Sequence, residues 1–256
     1  VFDGVLLDID GVLTVSWAPL PGAVATIEWL QRQGIEFRLL TNTSSRTRRE
    51  IASLLRQAGM DIEEQHVLTA VTSAARYLTE NYEGTGCFVL NEGDIGEDLE
   101  GIRRTGPDDA GVVLLGGAGP SIGFGELNTV FTMAIAGAPL VALHRNLRFQ
   151  TADGPALDMG AFVLGLEAAT ECSVTVVGKP SPSFYAAALR ELGMEAERVI
   201  MVGDDIVADV IGAQHAGISG ALVRTGKFRH SDLEGNNSEP DHVLADIGEL
   251  PDLLSR

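Results

Sequence analysis

Cysteine is almost missing from this chain. Cys87 and Cys172 are the only two, far apart, with neither the paired spacing nor the neighbouring histidines of a zinc site. Two isolated thiols read as reduced side chains of a cytoplasmic protein, not as a disulfide framework. No apolar run approaches the ~18 residues that cross a bilayer, which argues against a membrane partner. The opening from Val1 lacks the basic start and cleavage site of a signal peptide and runs straight into a strand-like segment. Positive charge is scarce too: Lys and Arg total 18 against 36 Asp and Glu, a net charge of −18. Such a field repels nucleic acid. Any small anionic ligand would have to be held by a local cation, and a bound metal would meet that need.

What is present has an ordinary globular balance, with 45% hydrophobic and 21% charged residues. A length of 256 residues suffices for a core domain carrying a smaller inserted one. Apolar runs of strand length alternate with helical patterns. Strands are expected at 5–7, 37–40, 174–178, 199–202 and 220–223. Helices are expected at 21–33, 45–58, 183–192, 205–216 and 246–254. This rhythm implies an α/β fold with a Rossmann-like parallel sheet and right-handed crossovers. The middle is looser. After a stretch at 80–107 rich in Gly, Asp and Glu come strands at 112–115 and 140–143 and helices at 126–136 and 160–169. Residues 1–73 and 177–256 are therefore expected to form a catalytic core, and 74–176 a smaller inserted α/β cap. The piece Gly116-Gly117-Ala118-Gly119 reads as a loop, because Ile122 stands where a dinucleotide fingerprint needs its third glycine. No internal repeat occurs.

Chemistry-bearing residues gather where strands end. Asp8-Ile9-Asp10-Gly11 follows the first strand, at the edge where open parallel sheets bind ligands. Asp8 can attack phosphorus and become an acyl phosphate. Asp10 can protonate the leaving oxygen and then take a proton from water. Thr41-Asn42-Thr43-Ser44-Ser45 offers hydroxyls and main-chain N–H groups beside a helix start, a natural phosphate cradle. Lys179 leaves a strand end into Pro180 and can neutralise nucleophile and phosphate. Gly203-Asp204-Asp205, with Asp209 beyond, supplies hard oxygen donors suited to magnesium. Asp8, Asp204 and the Asp10 carbonyl are the expected Mg2+ ligands. Taken singly, each motif has an ordinary explanation: a polar turn, a helix cap, a surface lysine, an acidic helix start. Nucleophile, cradle, cation and metal ligand in that order, each at a strand end, are far more specific.

With these four motifs the chain resembles the haloacid dehalogenase superfamily, most closely its NagD-like, 4-nitrophenylphosphatase branch, which carries a large α/β cap between the second and third motifs. The segments Gly178-Lys179-Pro180-Ser181-Pro182 and Thr225-Gly226-Lys227-Phe228 are similar to the same branch. The resemblance implies a phosphatase acting on small phosphate monoesters through a phosphoaspartate on Asp8, with Asp10 as acid/base. It implies that Thr41 and the Asn42 main chain bind the phosphoryl group, that Lys179 holds the phosphoaspartate and that Asp204 ligates magnesium. Asp209 would support a metal-bound water or orient Lys179, while Asp205 either shares that supporting role or serves only as an acidic helix start. Dehalogenases of the superfamily lack an acid at the position of Asp10, since a halide leaves without a proton. Asp10 therefore points to phosphate.

In the cap, the segment from His144 to Phe149, then Asp153-Gly154 and the residues 157–160, resembles by position the substrate-specificity loop of the branch. His144, Arg145, Asn146 and Arg148 are the candidate substrate contacts. The usual Asn-x-Asp is replaced by His-Arg-Asn, which leaves the substrate open among nucleotide monophosphates, sugar phosphates, phosphoglycolate and phosphoamino acids. A homodimer through the cap fits the family. His66, His215, His230 and His242 are scattered and read as surface or capping residues. The alternatives are a phosphotransferase or mutase of the same superfamily, a catalytically silent binding protein, and a receiver-type signalling module. The last is about half this length and has no acid two residues after its aspartate.

Overall fold

A computed structural model describes residues 2–151, 154–233 and 239–255. The chain is a mixed α/β protein that divides into two compact units. One comprises 1–41, 48–68 and 179–256, the other 42–47 and 69–178. The longer segment of the second unit spans 69–178, against the 74–176 expected from the sequence pattern. Position 74 lies inside a helix, Ala70–Asn81, whose N-terminus Thr69 caps by accepting the Thr72 N–H.

In the first unit six strands lie in the order His242–Leu244, Ser219–Val223, Val199–Gly203, Gly4–Asp8, Glu36–Thr41, Val67–Thr69. The ladders flanking Gly4–Asp8 are parallel on both sides. The Gly4–Asp8 strand reads GVLLD and is buried throughout, as a strand covered on both faces must be. Alternate residues serve opposite faces. Val5 and Leu7 join Ile27, Leu30, Ile51 and Leu55 in one core cluster, while Leu6 joins Phe184, Tyr185, Ala188 and Ala213 in another. The chain runs from this central strand outward through Glu36–Thr41, and later returns to fill the other side with Val199–Gly203. The order therefore reverses at the carboxyl end of Gly4–Asp8, where a crevice opens beyond the strand ends.

The second unit carries a four-stranded parallel sheet, Thr175–Val176, Leu140–Ala142, Val112–Leu115, Cys87–Leu90. Helices Ala70–Asn81, Phe124–Ile135 and Met159–Thr170 belong to it, as does an antiparallel pair, Arg148–Thr151 with Gly154–Leu157. Among the described residues no helix is long and apolar enough to cross a membrane.

Several elements differ from the sequence pattern. The strand expected at 174–178 is Thr175–Val176 and pairs with Leu140–Ala142 in the second unit. Lys179 thus enters the first unit from a strand of the other sheet, not from a core strand. The loose stretch 80–107 contains the strand Cys87–Leu90. The helix expected at 205–216 is a π-helical turn, Ile206–Ile211, followed by a short α-helix, Gly212–His215. Apolar periodicity cannot distinguish these, because a π turn inserts one residue into a pattern that otherwise looks α-helical.

Candidate active site

Asp8 closes the central strand, only 6% exposed. Lys179, 4% exposed, reaches it from the start of the segment leading to the Pro182–Leu192 helix. The Lys179 Nζ donates to Asp8 Oδ1 at 2.6 Å and to Asp209 Oδ1 at 2.7 Å. The Leu40 carbonyl lies 3.4 Å from the same nitrogen. One ammonium is thus forked between two buried carboxylates whose positions are set by separate elements. Asp10 is exposed, two residues beyond Asp8. The Gly11 N–H donates to the Thr14 carbonyl at 2.7 Å, closing the tight turn after the strand.

Asp204 follows Gly203 at the end of the adjacent strand. Its Oδ2 accepts the Lys227 main-chain N–H at 2.7 Å. Its Oδ1 is buried and has no hydrogen-bond partner among the described residues. Two glycines make room for this carboxylate. Gly11 (φ +89°) and Gly226 (φ +60°) occupy backbone conformations that favour glycine, and a Cβ at either would fall within 2.0 Å of Asp204 Oδ2. Thr225 Oγ1 donates to the Gly11 carbonyl at 2.5 Å and ties the two loops together.

Asp205 and Asp209 have different tasks. Asp205 Oδ1 accepts from the N–H groups of Val207 (3.1 Å) and Ala208 (3.0 Å), capping the π turn. Its Oδ2 stands 3.4 Å from Lys227 Nζ. Asp209 Oδ1 accepts from Lys179, and its Oδ2 accepts the Asp205 N–H at 3.1 Å. Both Asp209 oxygens are therefore engaged within the protein.

The electrostatics are those of crowded carboxylates short of positive charge. Burial pushes Asp204 up to about 8, and the charges of Asp8 and Asp209 add to the rise. Burial pushes Asp209 up to about 6, with Lys179 pulling the other way. Asp8 also lies above the usual carboxylate range, burial outweighing the attraction of Lys179. Burial opposes the Lys179 charge, but the carboxylates of Asp209 and Asp8 hold its pKa well above the ordinary value. Asp8, Asp204 and Asp209 each bring an oxygen within 4.8 Å of the others. Hard oxygens at that spacing suit magnesium. Since both oxygens of Asp209 are spoken for, Asp8 and the partnerless Asp204 Oδ1 are the donors that fit a cation.

Thr41 ends the Glu36–Thr41 strand and is buried. Asn42 follows it in the chain but groups with the second unit, where its Oδ1 would lie 2.6 Å from a Cβ at Gly178. The candidate substrate contacts of the second unit are not alike. His144 is 2% exposed, with Nε2 3.9 Å from Asp158 Oδ2. Arg145 forms a two-pronged pair with Glu167, at 2.9 Å for Nη1 to Oε2. These two side chains are engaged inside the unit. Arg148 is exposed, beside exposed Leu147 and Phe149. Asp153 lies outside the described residues. Sequence reasoning assigned no role to the Lys227 N–H, the Thr225 hydroxyl or Tyr185. The first two lie in a segment, Thr225-Gly226-Lys227, whose glycine was the available signal.

Comparison with known proteins gives concordant results. The family model "Haloacid dehalogenase-like hydrolase" matches residues 5–103 and the model "HAD-hyrolase-like" matches residues 176–250. "Haloacid dehalogenase-like hydrolase domain-containing protein 2" from Pongo abelii is 38% identical over 251 residues, covering 94% of this chain and 95% of its own length. The human "Phospholysine phosphohistidine inorganic pyrophosphate phosphatase" is 35% identical, covering 98% and 93%. Among solved structures, the p-nitrophenyl phosphatase of Archaeoglobus fulgidus superimposes with a TM-score of 0.92 at 27% identity, covering 98% of this chain and 99% of that one.

Proposed function

The chain belongs to the haloacid dehalogenase-like hydrolases, as a phosphatase of the NagD- and 4-nitrophenylphosphatase-like branch, and from that premise we propose that it hydrolyses small phosphate monoesters through a phosphoaspartate on Asp8 and depends on magnesium. The observation that carries the reading is the buried Lys179–Asp8 contact of 2.6 Å at the point where strand order reverses. An ammonium held there offsets the charge that otherwise keeps a carboxylate from a phosphate dianion. Asp8 forms the new bond to phosphorus as the bond to the leaving oxygen breaks. Asp10, exposed and two residues beyond Asp8, delivers its proton to that oxygen and then accepts one from the water that cleaves the phosphoaspartate. Thr41 and the Asn42 main chain hold the transferring phosphoryl group.

Asp8, Asp204 through Oδ1, and the Asp10 carbonyl are the groups that would hold the metal. When bound, magnesium supplies charge stabilisation to the phosphoryl oxygens. The second unit is proposed as the cap that excludes bulk water and selects the leaving group. Arg148 and Asn146 remain its candidate contacts, while the internal pairs of His144 and Arg145 favour a supporting role for those two.

The test is phosphate release from 4-nitrophenyl phosphate and, in view of one relative's name, from inorganic pyrophosphate. Wild type is compared with Asp8→Asn and Asp10→Asn, with and without EDTA. Activity should vanish in Asp8→Asn and in EDTA, and fall by about 10²–10³ in Asp10→Asn. Turnover that survives Asp8→Asn would rule the mechanism out. A phosphoryl group passed to an added alcohol in place of water would make the protein a phosphotransferase.

A further inference from the structure

Asp209 holds Lys179, and it stands on a turn where one α-type bond is mixed with wider π-type bonds. The Ile206–Ile211 segment is π-helical, with Val210 N–H reaching the Asp205 carbonyl at 3.4 Å and Asp209 N–H the same oxygen at 2.9 Å. Such wide turns are rare beside α-helix and are frequent at functional sites. Here the Asp205 side chain caps the turn's first N–H groups, and a side chain from another helix reaches its later carbonyls.

The side chain that reaches it is Tyr185, on the Pro182–Leu192 helix. Its ring is fully buried in the apolar cluster with Phe184, Ala188 and Ala213. Its hydroxyl donates to the Ala208 carbonyl at 2.6 Å and lies 3.1 Å from the Asp209 carbonyl, sharing one hydrogen between successive carbonyls of the π turn. The ring edge also touches the short helix after the turn, since a Cβ at Gly212 would meet Tyr185 Cε2 at 3.0 Å. The polar end is placed so deep that burial, with the Asp209 charge, drives its pKa well above that of an ordinary tyrosine. A phenylalanine would fill the same volume. Both partners of the hydroxyl are carbonyls of the turn.

We propose that Tyr185 is a positioning residue for catalysis: its hydroxyl locks the π turn so that Asp209 Oδ1 holds Lys179 against Asp8. The order of action is Tyr185 to the main chain of Ala208 and Asp209, Asp209 to Lys179, Lys179 to the nucleophile. This rests on Lys179 and Asp8 acting as the phosphatase reading assigns.

Tyr185→Phe keeps the ring and removes one hydrogen bond. With magnesium and 4-nitrophenyl phosphate, kcat should fall about 3- to 10-fold while KM stays within about twofold. Asp209→Asn and the double variant complete a cycle. If the hydroxyl acts through Asp209, adding Tyr185→Phe to Asp209→Asn changes kcat by less than about twofold. An unchanged kcat in Tyr185→Phe overturns the proposal, and so does an equal loss in both backgrounds, which marks a merely structural hydroxyl. A second readout needs no turnover. In protein labelled with 15N at the lysine ε position, the Lys179 signal, identified by its loss in Lys179→Met, should shift in Tyr185→Phe. A Lys179 signal identical in the two proteins overturns the link. Should wild type release no phosphate, the phosphatase reading fails while this spectrum still decides whether Tyr185 controls Lys179.

Discussion

Asp204 shares one oxygen with the Lys227 N–H and keeps the other buried without a partner among the described residues. A buried carboxylate oxygen left without a partner weakens the fold. Its carboxyl is pushed up to about 8 by burial and by Asp8 and Asp209, whereas in the unfolded chain it titrates near ~3.9. Between those values the folded state binds more protons than the unfolded one, so this group costs stability as pH rises from about 4 to 8. Asp204→Asn, which cannot ionise, should raise the melting temperature of the metal-free protein at pH 8 by several degrees, about 2–4 °C per kcal/mol recovered, and change it little near pH 4. Calorimetry in EDTA at the two pH values measures this, and a lower melting point at pH 8 would mean that the charge is better compensated than the geometry suggests. The carboxylates themselves were legible in the sequence because they crowd beside strand-like runs. Their division of labour was not. Asp205 caps a turn while Asp209 pairs with Lys179, and nothing in the order Asp204-Asp205-x3-Asp209 separates the two.

Loops and turns between the strands do the fine placement. The Thr225–Lys227 loop meets the turn after Asp8 so closely that Asp204 is gripped from two sides. Gly226→Ala would put a Cβ 1.9 Å from Asp204 Oδ2 and 2.7 Å from Gly11 Cα, at a φ that side chains rarely adopt. Magnesium affinity by titration calorimetry should drop at least about tenfold as Asp204 is displaced, with far-ultraviolet circular dichroism unchanged. Unaltered affinity would show that the loop yields and does not aim the carboxylate. Long buried strands such as Val199–Gly203 were legible because their apolar runs are continuous. The strand Val67–Thr69 carries no comparable signal, since three residues are too few for a periodicity, whereas the helix Ala70–Asn81 does space its buried Ala70, Val71, Ala74 and Leu78 helically but was assigned no element in the sequence analysis. The π turn was read as α-helix for the reason given by its geometry: one extra residue per turn leaves the apolar spacing almost intact.

Across the whole molecule a net charge of −18 confronts an anionic substrate. Local cations at Lys179 and Lys227 must overcome a field that repels phosphate at longer range. Screening weakens that field over a Debye length of ~8–10 Å at ~0.1–0.15 M salt. At saturating magnesium, kcat/KM for 4-nitrophenyl phosphate should therefore rise about two- to threefold from about 20 to 150 mM ionic strength. A steady fall over that range would show that nearby cations, not net charge, set the approach of substrate. The sequence by itself determined the α/β class, the family and the phosphatase chemistry, because all three depend on residue types at strand ends and on short motifs that survive as local patterns. Only the tertiary structure decided which groups meet. Lys179 bonds Asp8 across 171 positions and Asp209 across 30, and Tyr185 reaches the π turn from another helix. Partners so distant in sequence are chosen by sheet order and helix packing, which bring together carboxylates, an ammonium and a hydroxyl that no local pattern connects.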